Sequence, residues 1–315
     1  MRSGILNVYK EAGFTSFDVV AKLRGILHVR KIGHAGTLDP AARGVLPVCI
    51  GKATKTVGLM TDWTKTYLVD MQLGIRTDSQ DMTGTVLEER PVTVSEDMIR
   101  QVLASFVGPQ DQIPPMYSAK KVGGKKLYEY ARKGIEIERK ASRIIIYEIA
   151  VCSIDLPHVM MQVTCSKGTY IRTLCSDIGH SLGCGAAMAD LERMRVGSFD
   201  RETALTLDQI QTAVSEGRQG EILRPIDAVF CDLPSVKFPE CLTLAAKNGA
   251  PVGEEVLEQC TFWEGPGGEC RAYDWSSAEQ GQGFRAYLAD GAFLGIYMRC
   301  KEGLRIRTFF YEETV

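Results

Sequence analysis

Residues 33–55 read GHAGTLDPAARGVLPVCIGKATK, and they set one carboxylate, Asp39, in a glycine-rich turn. From Lys31 to Lys55 the chain carries Lys31, Arg43, Lys52, Lys55 and, when protonated, His34, with Asp39 as the sole acid. Neighbouring cations favour an ionised carboxylate, so the stretch reads as the seat of a nucleophile or base. A purely structural reading competes with this one. Asp-Pro starts turns, and Gly33, Gly36 and Gly44 give the backbone freedom to make one.

The flanks read as regular structure. Thr15 and Asp18 stand in capping-box register ahead of Val19, Val20, Leu23 and Leu27, which recur at helical spacing. Thr54 to Trp63 is a short helix or turn. In the strand that follows, Tyr67, Val69, Met71, Leu73 and Ile75 share one face and Asp70, Gln72 and Arg76 the other. Tyr67 opens the apolar face of that strand. DSQDMTG (78–84) lacks EF-hand spacing and its closing Glu, and reads as a solvated turn. Ser95 caps a helix whose apolar stripe is Met98, Ile99, Val102, Leu103 and Phe106, ended by Gly108 and Pro109.

Residues 112–143, QIPPMYSAKKVGGKKLYEYARKGIEIERKASR, crowd Lys120, Lys121, Lys125 and Lys126 around Gly123 and Gly124, with Tyr117, Tyr128 and Tyr130 among them. Interleaved cations and aromatics suit a mobile segment that closes on phosphates and bases; a solvated charged surface is the alternative. RIIIYEIAVCS (143–153) and HVMMQVTCS (158–166) form a hairpin. A helix then buries Ile171, Leu174, Cys175, Ile178 and Leu182, and Lys167, Gly168 and Thr169 at its N-terminus favour an anion. Arg172 lies in its first turn, a poor place for a cation unless it is paired, and Asp39 is a candidate partner. Tyr170 beside it is core on the structural reading. Leu191 to Asp200 is a return strand and Thr206 to Val214 a last short helix.

A chain of 315 residues favours two domains. It is 45% hydrophobic and 24% charged, as soluble globular proteins are. No apolar run reaches the ~18 residues that cross a bilayer, and the N-terminus lacks a signal-peptide core, so the cytoplasm is the expected compartment. The ten cysteines contain no C-x-x-C pair and the four histidines no H-E-x-x-H, so reduced thiols and no metal site are expected. The net charge of −2 conceals an uneven distribution. Val19 to Tyr67 holds eight Lys/Arg against two acids and Ala119 to Arg143 nine against three, whereas Glu202 to Asp290 holds six against fifteen. Two basic segments suit phosphate binding. The acidic change with Pro225 and Pro234 marks a boundary near Leu233, giving domains 1–232 and 233–315. In the second, alternating Leu294, Ile296 and Met298 and then Leu304, Ile306 and Thr308 mark a small all-β module.

Taken together and in order, GHAGTLDPAARGVLPVCIGKATK, TKTY, QIPPMYSAKKVGGKKLYEYARKG and CSKGTYIRTL closely resemble the TruB family of tRNA pseudouridine synthases, over most of residues 4–232. GAFLGIYMRCKEGLRIRTFFYEE resembles a PUA RNA-binding module, although an unusually acidic one. The resemblance implies an α+β pseudouridine synthase fold, a mixed, mainly antiparallel sheet flanked by helices and loops, followed by the small all-β domain. It implies isomerisation of a T-loop uridine of tRNA, position 55, on a flipped-out nucleotide, with neither cofactor nor metal. By that resemblance Asp39 is the catalytic carboxylate, Tyr67 the active-site tyrosine and Arg172 the arginine paired with the aspartate. His34 is the histidine before the G-x-L-D turn, which binds substrate by bracing the space the base vacates; Lys52, Tyr170 and Leu191 are pocket positions, and Lys120, Lys121, Lys125 and Lys126 clamp the T-arm. The expected protein is a monomer with tRNA as its partner, without membrane or obligate protein partner. Two other classes are a non-catalytic RNA-binding or folding chaperone, and a hydrolase using Asp39, which would ordinarily need a second carboxylate.

Overall fold

The computed structural model describes residues 3–118, 120–131, 133–264 and 271–311. By internal contacts the chain divides into two compact units, Asn7–Val48 with Val57–Gln219, and Met1–Leu6 with Cys49–Thr56 and Gly220–Val315. The change of composition near Leu233 falls within the second of these.

The larger sheet contains nine strands among the described residues. They are β1 (Gly4–Lys10), β2 (Ile32–His34), β3 (Arg43–Ile50), β4 (Lys65–Leu73), then, after the separate hairpin β5 (Ile75–Thr77) and β6 (Val86–Glu89), β7 (Gly108–Gln112). Past the small hairpin β8 (Lys121–Val122) and β9 (Lys125–Lys126) come β10 (Ser142–Asp155), β11 (His158–Cys165), β12 (Ala186–Val196) and β13 (Phe199–Asp200). The main order is β1-β3-β12-β4-β11-β10-β7. β4, β11, β10 and β7 pair antiparallel, whereas β12 runs antiparallel to β4 and parallel to β3. This is the mixed, mainly antiparallel α+β sheet that the resemblance to the TruB family implies.

Local chemistry accounts for the elements. α1 (Ser16–Leu27) starts on a complete capping box, in which the Asp18 amide donates to Thr15 Oγ1 at 3.0 Å and the Thr15 amide to Asp18 Oδ2 at 2.8 Å. α2 (Val57–Thr61) is short; α3 (Glu96–Ser105) is capped by Ser95. α4 (Leu127–Ala131) follows the small hairpin, and α5 (Ile171–Ser181) and α6 (Leu207–Ser215) complete the set used here. Val69 and Met71 of β4, Ile146 of β10, Met161 and Val163 of β11, and Leu174 and Ile178 of α5 form one buried core with Ile99 and Leu103 of α3. The apolar face of the sheet is thus covered by α3 and α5.

Four expectations change in the structure. Gly74, with φ +81°, ends β4 at Leu73, so Ile75 and Arg76 belong to the next hairpin and not to the strand of Tyr67. Met98 lies off the α3 stripe, 45% exposed. The 78–84 turn is not simply solvated, since Ser79 and Asp81 are buried and the Asp81 carboxylate accepts from Ser79 Oγ and Thr83 Oγ1. The return strand begins at Ala186, five residues before Leu191.

In the second unit a seven-stranded sheet joins β14 (Ser235–Lys237), β15 (Val252–Gly253), β16 (Thr261–Glu264), β17 (Arg271–Ala272), β18 (Gly283–Tyr287), β19 (Phe293–Cys300) and β20 (Gly303–Phe309), in the order β15-β20-β19-β18-β14-β16-β17. Its core is aromatic: Phe238 meets Tyr297 edge-on at 5.2 Å and Phe262 meets Phe284 at 5.7 Å. Leu294 is buried there, but the expected alternation does not hold, since Tyr297 and not Ile296 is its next partner in that core and Met298 is half-buried.

Two glycines test this architecture in opposite senses. Gly44 has φ +109°, and a Cβ there would lie 2.3 Å from the Arg193 carbonyl oxygen of the paired strand. Gly25, inside α1, faces open space. Urea unfolding of Gly44→Ala is expected to show a loss of about 2 kcal/mol or more, from backbone strain and close contact. Gly25→Ala is expected to gain up to about 1 kcal/mol from helix propensity.

Candidate active site

The register of β12 assembles the site. Arg193 pairs with Gly44 of β3 on one side and with Tyr67 of β4 on the other, which brings the loop before β3 over the start of β4. That loop, 35–42, is held at several points. The Leu38 amide donates to Ser16 Oγ at 2.9 Å, the Gly13 amide to the Pro40 carbonyl at 2.9 Å, and the Ala35 amide to the Pro47 carbonyl at 2.9 Å. Gly36 turns it with φ +86°. The loop is the Asp-Pro turn of the structural reading, and it carries Asp39 to the wall of a cavity.

That cavity holds about 350 Å³, within the range of about 300–1,000 Å³ typical of small-ligand sites. Asp39, Tyr67, Tyr170, Arg172, Leu191 and Lys120 line it, together with Lys65, Arg193 and Thr169. Arg172 projects from the first turn of α5, and its Nε lies 3.0 Å from Asp39 Oδ2. The rest of the guanidinium is fully engaged. Nη1 donates to the Ser79 carbonyl at 3.2 Å and lies 3.6 Å from Asp81 Oδ2, while Nη2 donates to the Tyr117 carbonyl at 2.8 Å. The cation misplaced in a first turn is therefore balanced by a carboxylate on each side.

The pair is asymmetric in exposure: the Arg172 side chain is 7% accessible and that of Asp39 41%. One face of the carboxylate opens on the cavity while protein crowds the remainder. Burial pushes the Asp39 carboxyl above the usual aspartate range; the Arg172 charge pulls it down, Asp81 pushes it up and Lys10 pulls it down. This revises the expectation that neighbouring cations hold it low, because the cations of 31–55 do not reach it. Arg43 pairs with Asp190 at 2.6 Å and Glu192 at 3.1 Å, and Lys55 donates to the Phe309 carbonyl at 2.8 Å. Burial, and after it the Arg193 charge, lowers the imidazole of His34, at the end of β2, below the usual histidine range.

Tyr67 is buried at the cavity floor. Burial pushes its hydroxyl up to about 12, and Arg193, which donates a hydrogen bond to it, pulls the other way. Arg193 is itself almost completely buried and has carbonyls in place of a carboxylate partner: Nε donates to Val45 at 2.7 Å and Nη2 to Gly36 at 3.0 Å. It ties the Asp39 loop to Tyr67. Two further buried cations were not singled out in the sequence. Lys10 donates to the carbonyls of Ala42 at 2.5 Å, Glu11 at 3.0 Å and Pro40 at 3.3 Å, and Lys65 to those of Thr61 at 2.7 Å and Trp63 at 2.5 Å. Burial lowers each ammonium to about 8. Sequence offered little signal for them: Lys10 and Lys65 stand at strand ends, and Arg193 lies among the charged Asp190, Glu192 and Arg195 of β12.

The other expected positions divide. Tyr170 and Leu191 line the cavity, and Lys120 reaches its rim while donating to Ser142 Oγ at 2.6 Å. His34 does not line it, and its Nδ1 is buried without a hydrogen-bond partner among the described residues. Lys52 does not line it either: it sits in the turn after β3, in the other compact unit, and its ammonium donates to the Tyr311 carbonyl. The helix N-terminus is less open to an anion than its sequence suggests. α5 starts at Ile171, and the Tyr170 amide is taken by Gln112 Oε1 at 2.8 Å. Lys125 and Lys126 lie on the β8–β9 hairpin, Lys126 5.3 Å above the Tyr128 ring and Lys125 in solvent. The side chain of Lys121 lies outside the described residues.

Carboxyl-detected NMR titration checks the electrostatics directly. Asp39 is expected to titrate above the free value of about 3.9. Arg172→Met removes the largest lowering influence, so the Asp39 midpoint should move higher still; an unchanged or lower midpoint would show that the guanidinium does not govern it.

Residues 24–171 match the description "TruB family pseudouridylate synthase (N terminal domain)", and 172–230 match "tRNA pseudouridylate synthase B C-terminal domain". A protein of Clostridium novyi named tRNA pseudouridine synthase B is 44% identical over 307 residues, covering 96% of this chain and 98% of its own length. A protein of Bacillus pumilus with the same name is 44% identical over 285 residues, covering 86% and 92%. Among solved structures, a Cbf5-Nop10-Gar1 complex superposes with a TM-score of 0.71 at 26% identity, over 98% of this chain and 85% of that one. An H/ACA RNP bound to a substrate RNA containing 2'-deoxyuridine also gives 0.71, at 24% identity, and shares the fold. With relatives this similar over nearly its full length, and with the site built on the matched residues, the chain belongs to the TruB family of pseudouridylate synthases.

Proposed function

We propose that this enzyme converts one uridine of the tRNA T-loop, position 55, to pseudouridine, with Asp39 as the catalytic carboxylate. The observation that carries the reading is the Arg172–Asp39 pair, 3.0 Å apart, on the wall of a cavity sized for one nucleoside with Tyr67 at its floor. The names of the relatives support tRNA as the substrate.

The reaction breaks C1′–N1 and makes C1′–C5 within one nucleotide, so it needs no electron acceptor. It needs a group that carries the intermediate while the base turns, and a base to take the C5 proton. Asp39 presents an oxygen to the cavity. Its crowded setting makes it a stronger nucleophile or base than a solvated carboxylate, and Arg172 keeps it oriented. Uracil within a folded loop is out of reach, so the nucleotide enters flipped out. Tyr67 stacks on it and Tyr170 and Leu191 border it, while His34 braces the emptied stack. Lys52 is proposed only on resemblance, as its ammonium is held elsewhere. Lys120, Lys121, Lys125 and Lys126 clamp the T-arm backbone. In this reading residues 1–232 are catalytic and 233–315 are a PUA-like RNA-binding domain, in a cytoplasmic monomer. No described helix is long and apolar enough to cross a membrane.

Asp39→Asn is expected to lower pseudouridine formation on a transcribed T-arm hairpin by ~10³-fold or more, with RNA affinity within a few-fold of wild type. Appreciable turnover by that variant would overturn the assignment. Lys125→Ala/Lys126→Ala should weaken binding of every RNA alike and reduce the slope of log affinity against log salt by about 2.

A further inference from the structure

The outer face of α1 has no role in the site described so far, yet it begins at the site's rim. Ser16 Oγ receives the Leu38 amide and Gly13 holds the Pro40 carbonyl, so the first turn of α1 abuts the loop that presents Asp39. From that turn Phe17 stands 61% exposed. The Arg24 guanidinium lies over its ring at 5.6 Å, and the Lys22 ammonium lies over the Phe14 ring at 5.0 Å. Neither cation forms an ion pair among the described residues. Asp18 is the one acid of the helix, and its carboxylate is occupied by the amide and hydroxyl of Thr15.

Between Lys22 and Arg24 and the helix end, Gly25 is exposed with open space where a Cβ would be. A glycine there costs helix stability and relieves no crowding within the protein, which makes it a place where something else can approach the backbone. Beyond the helix, Arg30 and Lys31 are exposed and continue the positive charge. The 12-residue helix extends this strip by about 18 Å from the rim. Exposed aromatic, unneutralised cations and a bare stretch of helix, on an element that abuts the loop lining the cavity, suit a polyanion carrying planar rings.

We propose that the outer face of α1, led by Phe17, Lys22, Arg24 and Gly25, is an RNA-docking strip that receives the sugar–phosphate backbone of the substrate beside the flipped nucleotide. It rests on the reading that the substrate is RNA, and lies on a different element from the lysine-rich hairpin. Fluorescence anisotropy with a labelled T-arm hairpin and with full-length transcribed tRNA tests it on the whole chain. Phe17→Ala/Lys22→Ala/Arg24→Ala is expected to weaken affinity by ~10-fold at ~0.1 M salt and to reduce the salt slope by about 2. Gly25→Glu separates contact from folding: the better helix former should raise the melting temperature, while its bulk and charge lower RNA affinity. Affinities of both variants within twofold of wild type for both RNAs would overturn the strip. A parallel assay of pseudouridine formation by the wild type keeps the two proposals apart, since loss of RNA affinity in the variants with no isomerisation by the wild type would sink the reaction and leave the strip standing.

Discussion

An arginine in the first turn of a helix adds its charge to the positive end of the helix dipole, and Arg172 occupies that position with almost no access to water. The fold tolerates it because every nitrogen of the guanidinium is met: Asp39 on one side, Ser79 and Asp81 on another, and the Tyr117 carbonyl on a third. Three distant stretches of chain are thereby bound to one cation. The loop before β3, the 78–84 turn and the entry to the lysine-rich segment each supply it with a partner. Removing the guanidinium would leave two carboxylates facing each other across a partly dry space, which is why the local electrostatics and the local fold are a single problem here.

A second buried arginine does the complementary work. Arg193 makes hydrogen bonds to loop carbonyls and to the Tyr67 hydroxyl, and its strand pairs with β3 on one side and β4 on the other. The carboxylate and the tyrosine are therefore referenced to one rigid strand. Gly44 permits the close approach, with its positive φ and no room for a side chain.

Local patterns were legible in the sequence wherever their cause is local. The Thr15 and Ser95 caps, the alternation from Tyr67 to Leu73 and the 143–166 hairpin appear as read, because spacing and capping act over a few residues. The candidate acid, tyrosine and arginine were legible too, and the misplaced Arg172 pointed to Asp39 before any geometry was known. What sequence neighbours could not convey was which charges meet. The cations nearest Asp39 in the chain turn to Asp190, Glu192 and distant carbonyls, while Arg172, Lys10 and Asp81 reach it from elsewhere. The turn at 78–84 looked solvated because its polar residues satisfy one another in a buried cluster, and composition does not distinguish a buried polar network from a wet loop.

The proposed reaction requires a flipped uridine in the cavity against Asp39. A crystal structure of the protein with a T-arm hairpin carrying 5-fluorouridine at the position to be modified addresses this directly. The expected result is the fluorinated nucleoside outside the RNA stack, within the cavity, in contact with Asp39 and lying against Tyr67. A hairpin bound with that nucleotide still stacked in its loop, and with the cavity untouched, would contradict it.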